Sequence, residues 1–328
     1  MKFAFRVDAS SLIGGGHVMR CLTLANVLRE QGATCHFYCH PQPGDRIAAI
    51  AAEGFPVTSV GLYQDLPAGF KTDWLVTDHY CLDAVWEARQ QVIRRLVIDD
   101  LANRPHQCDV LLDQNLRTGS AARYRKLTPP QCRLLLGPSH VLLRPAFALM
   151  PKRVTNGEVK HIFVYFGGND QNNQAGQALD ALARIPQVTA DIVLGPDHPH
   201  REVLLTMSER PGIVVMETCS DMASAMARAD LALGVCGIAA WERCALGLPS
   251  LVCVTADNQR EDAEILHRLG AVEHLGESAQ VDATCWADAL NRALTDPARI
   301  VQMGRTAASV VDGYRDNQAL LLNLLLHV

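Results

Sequence analysis

No window of the 328-residue sequence approaches the eighteen or more apolar residues that a membrane helix needs, and no long basic run interrupts it. Lysine and arginine number 30 against 35 aspartates and glutamates. That slightly acidic balance argues against a nucleic-acid groove and against a polybasic membrane patch, so the expected partner is a small molecule. Missing too are C-x-x-C pairs and any Cys/His spacing of a zinc site, so the eleven cysteines read as reduced core thiols, and neither metal nor cofactor is expected. The first residues, "MKFAFRVDASS", lack a sustained apolar signal core. The most hydrophobic segment, "ALLLNLLLHV", is too short to span a bilayer and is interrupted by Asn323; it reads as a core or docking helix of a cytoplasmic protein.

What is present is a hydrophobic fraction of 48%, ample for two buried cores. Near-continuous apolar runs, "KFAFRVD", "TCHFYC", "DWLVTD", "RRLVIDD" and "CDVLLDQ", alternate with helical patterns, as in a parallel sheet covered on both faces. Periodicity is lost around "PAFALMPKRVTNGE" (145–158) and then restarts with "HIFVYFGG", "VTADIVLG", "GIVVME", "ADLALGV" and "PSLVCV". The expected fold is α/β, two facing Rossmann-like domains of residues 1–150 and 151–328, with an interdomain cleft where strand carboxyl ends meet a ligand. Each half opens with a strand running into a glycine-rich turn, an architectural echo and not a sequence repeat.

In "SLIGGGHVMRC" three glycines fall between the first strand and a helix whose apolar residues include Val18, Leu22, Leu24, Ala25 and Leu28. Gly14, Gly15 and Gly16 let backbone amides approach an anion or sugar phosphate at a helix N-terminus, with His17 at the cleft mouth. A tight turn with an incidental histidine is the bland alternative. G-x-G-x-x-G would need glycine at Met19, so this is no dinucleotide fingerprint. In "TDHY", Asp78, His79 and Tyr80 stand at a strand end, where Tyr80 can orient a neighbour or bind a hydroxyl, while Asp78 can equally cap a turn.

"GVCGIAAWERCALGLP" carries more information. Backbone amides at Gly237 and Ile238 suit a diphosphate, and Glu242, one and a half turns into the helix, can accept hydrogen bonds from ribose hydroxyls. Its alternative is a surface glutamate paired with Arg243. "FGGND" sets Gly167, Gly168 and Asn169 at the facing edge of the same cleft. Asn258 caps the next helix or orients a reacting group, and Met216 and Met222 either flank a base or pack in the core.

Taken in order, "FRVDASSLIGGGHVMRC", "TDHY", "VIDDLANRPHQCDVLLDQN", "LLGPSHVLLRPAF" and "GGND" resemble the UDP-sugar hydrolases of the pseudaminic acid pathway (PseG type). More widely, "GIAAWERCALGLPSLVCV" resembles the MurG-type glycosyltransferases of the GT-B fold. The resemblance implies release of UDP from UDP-2,4-diacetamido-2,4,6-trideoxy-β-L-altropyranose by inverting attack of water at the anomeric carbon, without a required metal. It implies His17 as general base, Tyr80 and Asn258 lining the reacting sugar, and Asp8, Arg144, Gly167, Gly168 and Glu242 as substrate or UDP contacts. A GT-B transferase of an N-acetylated sugar, a non-catalytic nucleotide-sugar binder and, more weakly, a hydrolysing 2-epimerase are the competing readings. Beyond about Val281 no motif matches.

Overall fold

The computed structural model describes residues 1–67, 72–151, 153–195, 198–207 and 211–327. Lys152, inside the expected connection, and Val328, at the end of the terminal apolar segment, lie outside them. The chain forms two compact units: residues 1–142 with 313–328, and residues 143–312.

In the first unit, β1 (Lys2–Val7), α1 (Gly16–Glu30), β2 (Thr34–Cys39), α2 (Ile47–Ala52), β3 (Val57–Ser59) and β4 (Thr72–Asp78) are followed by α3 (Ala84–Arg89), β5 (Val92–Ile98), β6 (Val110–Asp113), α4 (Ser120–Tyr124) and β7 (Arg133–Leu136). All pairings are parallel, in the order β3-β2-β1-β4-β5-β6-β7. The order reverses between β1 and β4, and at such a switch point the diverging loops leave room for a ligand beyond the strand carboxyl ends.

The second unit contains α5 (Pro145–Leu149), β8 (His161–Tyr165), α6 (Gln174–Ala183), β9 (Thr189–Val193), α7 (Arg201–Met207), β10 (Ile213–Met216), α8 (Met222–Arg228) and β11 (Leu231–Val235). It continues with α9 (Ile238–Leu246), β12 (Ser250–Val254), α10 (Asp257–Leu269), β13 (Glu273–Glu277), α11 (Ala283–Thr295) and α12 (Pro297–Val310). Its parallel sheet runs β10-β9-β8-β11-β12-β13, with the switch point between β8 and β11.

Two Rossmann-like units match the expected class, and every apolar run read as a strand is one. Of the three strands not expected, β3 and β13 carry few apolar residues, while β7 is apolar but only four residues long. The boundary needs correcting: it falls at Leu142/Leu143, so the 145–149 helix belongs to the second unit. The last helix, α13 (Tyr314–Leu326), belongs to the first unit, not to the second half. Leu321 and Leu325 are buried in the cluster that contains Phe3, Phe5 and Val18, and Asn317 Nδ2 donates to the Ser139 carbonyl at 2.9 Å. Sequence distance concealed this because an apolar helix does not say which sheet it covers.

Candidate active site

Both switch points carry the residues singled out from sequence. In the first unit, β1 ends at Val7 and the chain turns through Gly14, whose φ of +78° is accessible to glycine without strain and whose amide donates to Ser10 O at 2.8 Å. Gly15 is the N-cap of α1 and supplies no side-chain cap; no acid stands in the first turn, so the helix start is left positive.

One residue later, His17 Nδ1 lies 2.5 Å from Asp78 Oδ1 at the end of β4. Because a carboxylate only accepts, its 2.5 Å contact places the proton on Nδ1 ahead of the longer, 3.0 Å approach of Arg20 Nη2, which only donates, and this leaves Nε2 as the acceptor of the ring. Arg20, on the same face of α1, donates from Nε to Asp78 Oδ2 at 2.5 Å and from Nη2 to Oδ1 at 2.7 Å. Burial pushes the Asp78 carboxyl up, but Arg20 and then His17 outweigh it and hold it well below the usual carboxylate range. The Tyr80 ring meets the His17 ring edge-on, centroids 4.5 Å apart, and its hydroxyl reaches Asp100 Oδ2 at 3.4 Å. Asp78 therefore orients the imidazole and does not cap a turn. Arg20 went unnoticed in the sequence, although its i+3 spacing from His17 is the available signal.

Asp8 is differently placed from the substrate contact expected of it. Its carboxylate is buried, gripped by both terminal nitrogens of Arg6, by His79 Nε2 at 2.8 Å and by the His40 amide at 2.7 Å. His79 Nδ1 accepts from the amides of Cys81 and Leu82, so Nε2 bears the proton given to Asp8. Burial lowers the His79 pKa in keeping with that neutral form. With four donors on two oxygens, Asp8 fixes the loops after β1, β2 and β4.

In the second unit, Gly167 (φ +92°) and Gly168 follow β8; a Cβ on Gly195 would lie 2.2 Å from the Gly168 carbonyl, so these backbones touch. Asn169, half-buried, continues that turn. Gly237 is the N-cap of α9, again without a side-chain cap, and Ile238 is its first residue. Glu242 does not pair with Arg243. Its Oε1 accepts from Arg144 Nη2 at 2.7 Å and Nε at 2.9 Å, which leaves Oε2 outside the Arg144 contact. Burial raises the Glu242 pKa, with Arg144 opposing. Arg144 and Glu242, 98 positions apart, are thus brought together. Arg243 is buried instead. Asn258 is the second residue of α10, whose N-cap is Ala256, so it is not the cap. Met216 and Met222 pack in the core cluster around Phe163. Among the described residues no group of three or more His, Cys, Asp or Glu is arranged to hold a metal, and no helix is long and apolar enough to cross a membrane.

Comparison with solved structures identifies the class of fold as GT-B. MurG of Acinetobacter baumannii superposes over 100% of both chains with a TM-score of 0.66 at 14% identity. The glycosyltransferase VinC, solved in complex with dTDP, superposes over 99% of this chain and 98% of its own with a TM-score of 0.63 at 12% identity. Among curated sequences, the UDP-2,4-diacetamido-2,4,6-trideoxy-β-L-altropyranose hydrolase of Campylobacter jejuni is 33% identical over 190 residues, 56% of this chain and 66% of that protein. The chain spans between about half and two thirds of the length of the curated relatives it matches. No protein-family model matches the sequence.

Proposed function

We propose that the chain is a GT-B enzyme that breaks the anomeric carbon–oxygen bond of a UDP-linked sugar, with His17 activating the nucleophile and the second unit holding UDP. The observation that carries this reading is the buried His17–Asp78 pair at the end of β4. A proton fixed on Nδ1 makes Nε2 the acceptor, able to take a proton from a hydroxyl as the new bond forms. Asp78, ionised and clamped by Arg20, stabilises the imidazolium that results. Tyr80, edge-on to the imidazole, restricts the ring.

The anomeric carbon becomes oxocarbenium-like as UDP departs with growing negative charge. Preset amides at Gly167–Gly168 and Gly237–Ile238 suit that charge, because they need no reorganisation when it appears. The ribose hydroxyls are assigned to Glu242 Oε2, with Arg144 holding the other oxygen.

Two nucleophiles fit the same base. The likeness to glycosyltransferases supports an acceptor hydroxyl, and the hydrolase relative supports water. Incubation with UDP-2,4-diacetamido-2,4,6-trideoxy-β-L-altropyranose and with UDP-N-acetylglucosamine separates them. UDP release without acceptor assigns hydrolysis, and release that requires an added acceptor assigns transfer. Folded protein that binds UDP yet turns over neither sugar nucleotide, with or without acceptor, would reduce the chain to a binding module.

A further inference from the structure

Arg243 points to a feature of the second unit that the proposed chemistry has not used. Its side chain is 1% exposed, and among the described residues it forms no ion pair. Nε donates to Ser250 Oγ at 3.1 Å and Nη2 to the Val235 carbonyl at 2.7 Å; Nη1, buried, has no hydrogen-bond partner. The adjacent Glu242 spends its hydrogen bonds on Arg144 and acts on Arg243 only through space. Burial pushes the thiols of Cys236 and Cys244 up to about 12, and raises that of Cys253 as well, so the neighbouring sulfurs are neutral and offer no countercharge. An ion removed from water without a partner is strongly disfavoured, so a protein that keeps one has a use for it.

The location indicates that use. A Cβ on Gly234 would lie 2.7 Å from Arg243 Nη1 and 2.7 Å from the Tyr165 carbonyl oxygen. The guanidinium therefore sits against the last residues of β8 and β11, at the switch point of this sheet. Through Val235 O it is bonded to the turn that opens α9, the nine-residue helix whose start has neither a side-chain cap nor an acid in its first turn. Positive charge, free amides and a glycine-lined strand end converge there.

We infer that Arg243 is an electrostatic positioning residue for the phosphates of a nucleoside diphosphate: among the described residues no acid is in ion-pair contact with it, because the ligand brings the close countercharge. The inference rests on the assignment of UDP to the second unit. Arg243 touches no phosphate; it acts through its field across a low-dielectric interior and by fixing the Val235 carbonyl. A purely structural role, tying α9 to β11 and β12, is the competing explanation. That role needs packing and two hydrogen bonds, not a charge, and it has no reason to distinguish phosphates from a nucleoside.

Calorimetric titration of the full chain with UDP, UMP and uridine, using wild type, Arg243→Met and Arg243→Lys, tests this alongside thermal unfolding. Folded Arg243→Met should bind UDP about tenfold or more weakly, UMP with a smaller loss, and uridine within about twofold of wild type. Arg243→Lys, which keeps the charge, should recover most of the preference for UDP over uridine even if it melts earlier. Wild-type UDP affinity in folded Arg243→Met, or equal weakening of UDP and uridine, would overturn the role. If Arg243→Met alone fails to fold, loss of the UDP preference in Arg243→Lys overturns it; if neither variant folds, Arg243 is scaffold. A wild type that binds no UDP defeats the nucleotide assignment itself, before any variant is compared.

Discussion

His17 Nδ1 and Asp78 Oδ1, 61 positions apart in sequence, meet at 2.5 Å where the start of α1 faces the end of β4. The contact fixes a tautomer, and a fixed tautomer turns a histidine on a glycine turn into a base with a defined lone pair. Asp78 also neutralises Arg20, so one carboxylate both orients the ring and balances the cation beside it.

Replacing His17 with Asn should lower turnover of the UDP-sugar by roughly a hundredfold or more while leaving UDP affinity within about twofold. Steady-state kinetics and calorimetry on the same preparation separate the two quantities. An active variant would remove His17 from the chemistry.

Asp78→Asn should lose activity and stability together, because it withdraws the orienting charge and leaves buried Arg20 with only its longer, 3.7 Å pairing to Asp100. Breaking such a buried pair from one side costs about 3–5 kcal/mol. Urea unfolding reads the stability loss, and an unchanged midpoint would contradict the arrangement.

Asp8 should contribute to the acid limit of the fold. Burial pushes its carboxyl up, but His79 and Arg6 prevail and hold it at about 2, against 3.8 for an ordinary aspartate. A carboxyl depressed in the folded state stabilises fully above its unfolded value and loses that contribution as pH falls towards the folded one, here from about 4 down to about 2. The linked free energy is on the order of 2 kcal/mol. Asp8→Asn should therefore flatten the pH dependence of stability in that window, measured by denaturant midpoints from pH 5 downward.

Glu242→Ala should erase discrimination between UDP and 2′-deoxy-UDP. A hydrogen bond to a charged group contributes about 1.5–3 kcal/mol, so wild type should prefer the ribose form by roughly tenfold or more. Equal preference in wild type would show that Glu242 Oε2 does not meet the 2′-hydroxyl.

Leu325→Ala should destabilise the first unit by about 2–5 kcal/mol, since the side chain is fully buried against residues from the beginning of the chain. Calorimetry should show the transition assigned to that unit moving down. No change would mean that α13 contributes little to its core.

Much of the protein was legible in advance because its signals are local. Apolar runs between helical patterns announced the parallel sheets, and glycines after Val7, Tyr165 and Val235 marked the turns where strand ends meet helix starts. Tyr80 and Glu242 stand out as residue types suited to hydroxyl contact and ribose binding, and His17 by its place after the glycine turn, whereas the base role of His17 and the choice of Arg144 come only from the family resemblance. Weakly apolar strands such as Glu273–Glu277 do not stand out, because their place in the sheet depends on a neighbour and not on their own pattern.

The sequence by itself determined the alternation of elements, the glycine turns and the supply of titratable side chains. Tertiary structure alone decided which charges are partners: Asp8 with Arg6 and His79, Asp78 with His17 and Arg20, Glu242 with Arg144, and Arg243 with no acid in ion-pair contact among the described residues. It likewise sent the final helix back to the first sheet. The reason is physical: propensity and periodicity act over a few residues, whereas the pairing of a buried charge and the covering of an apolar face are settled by whatever the fold brings within a few ångströms.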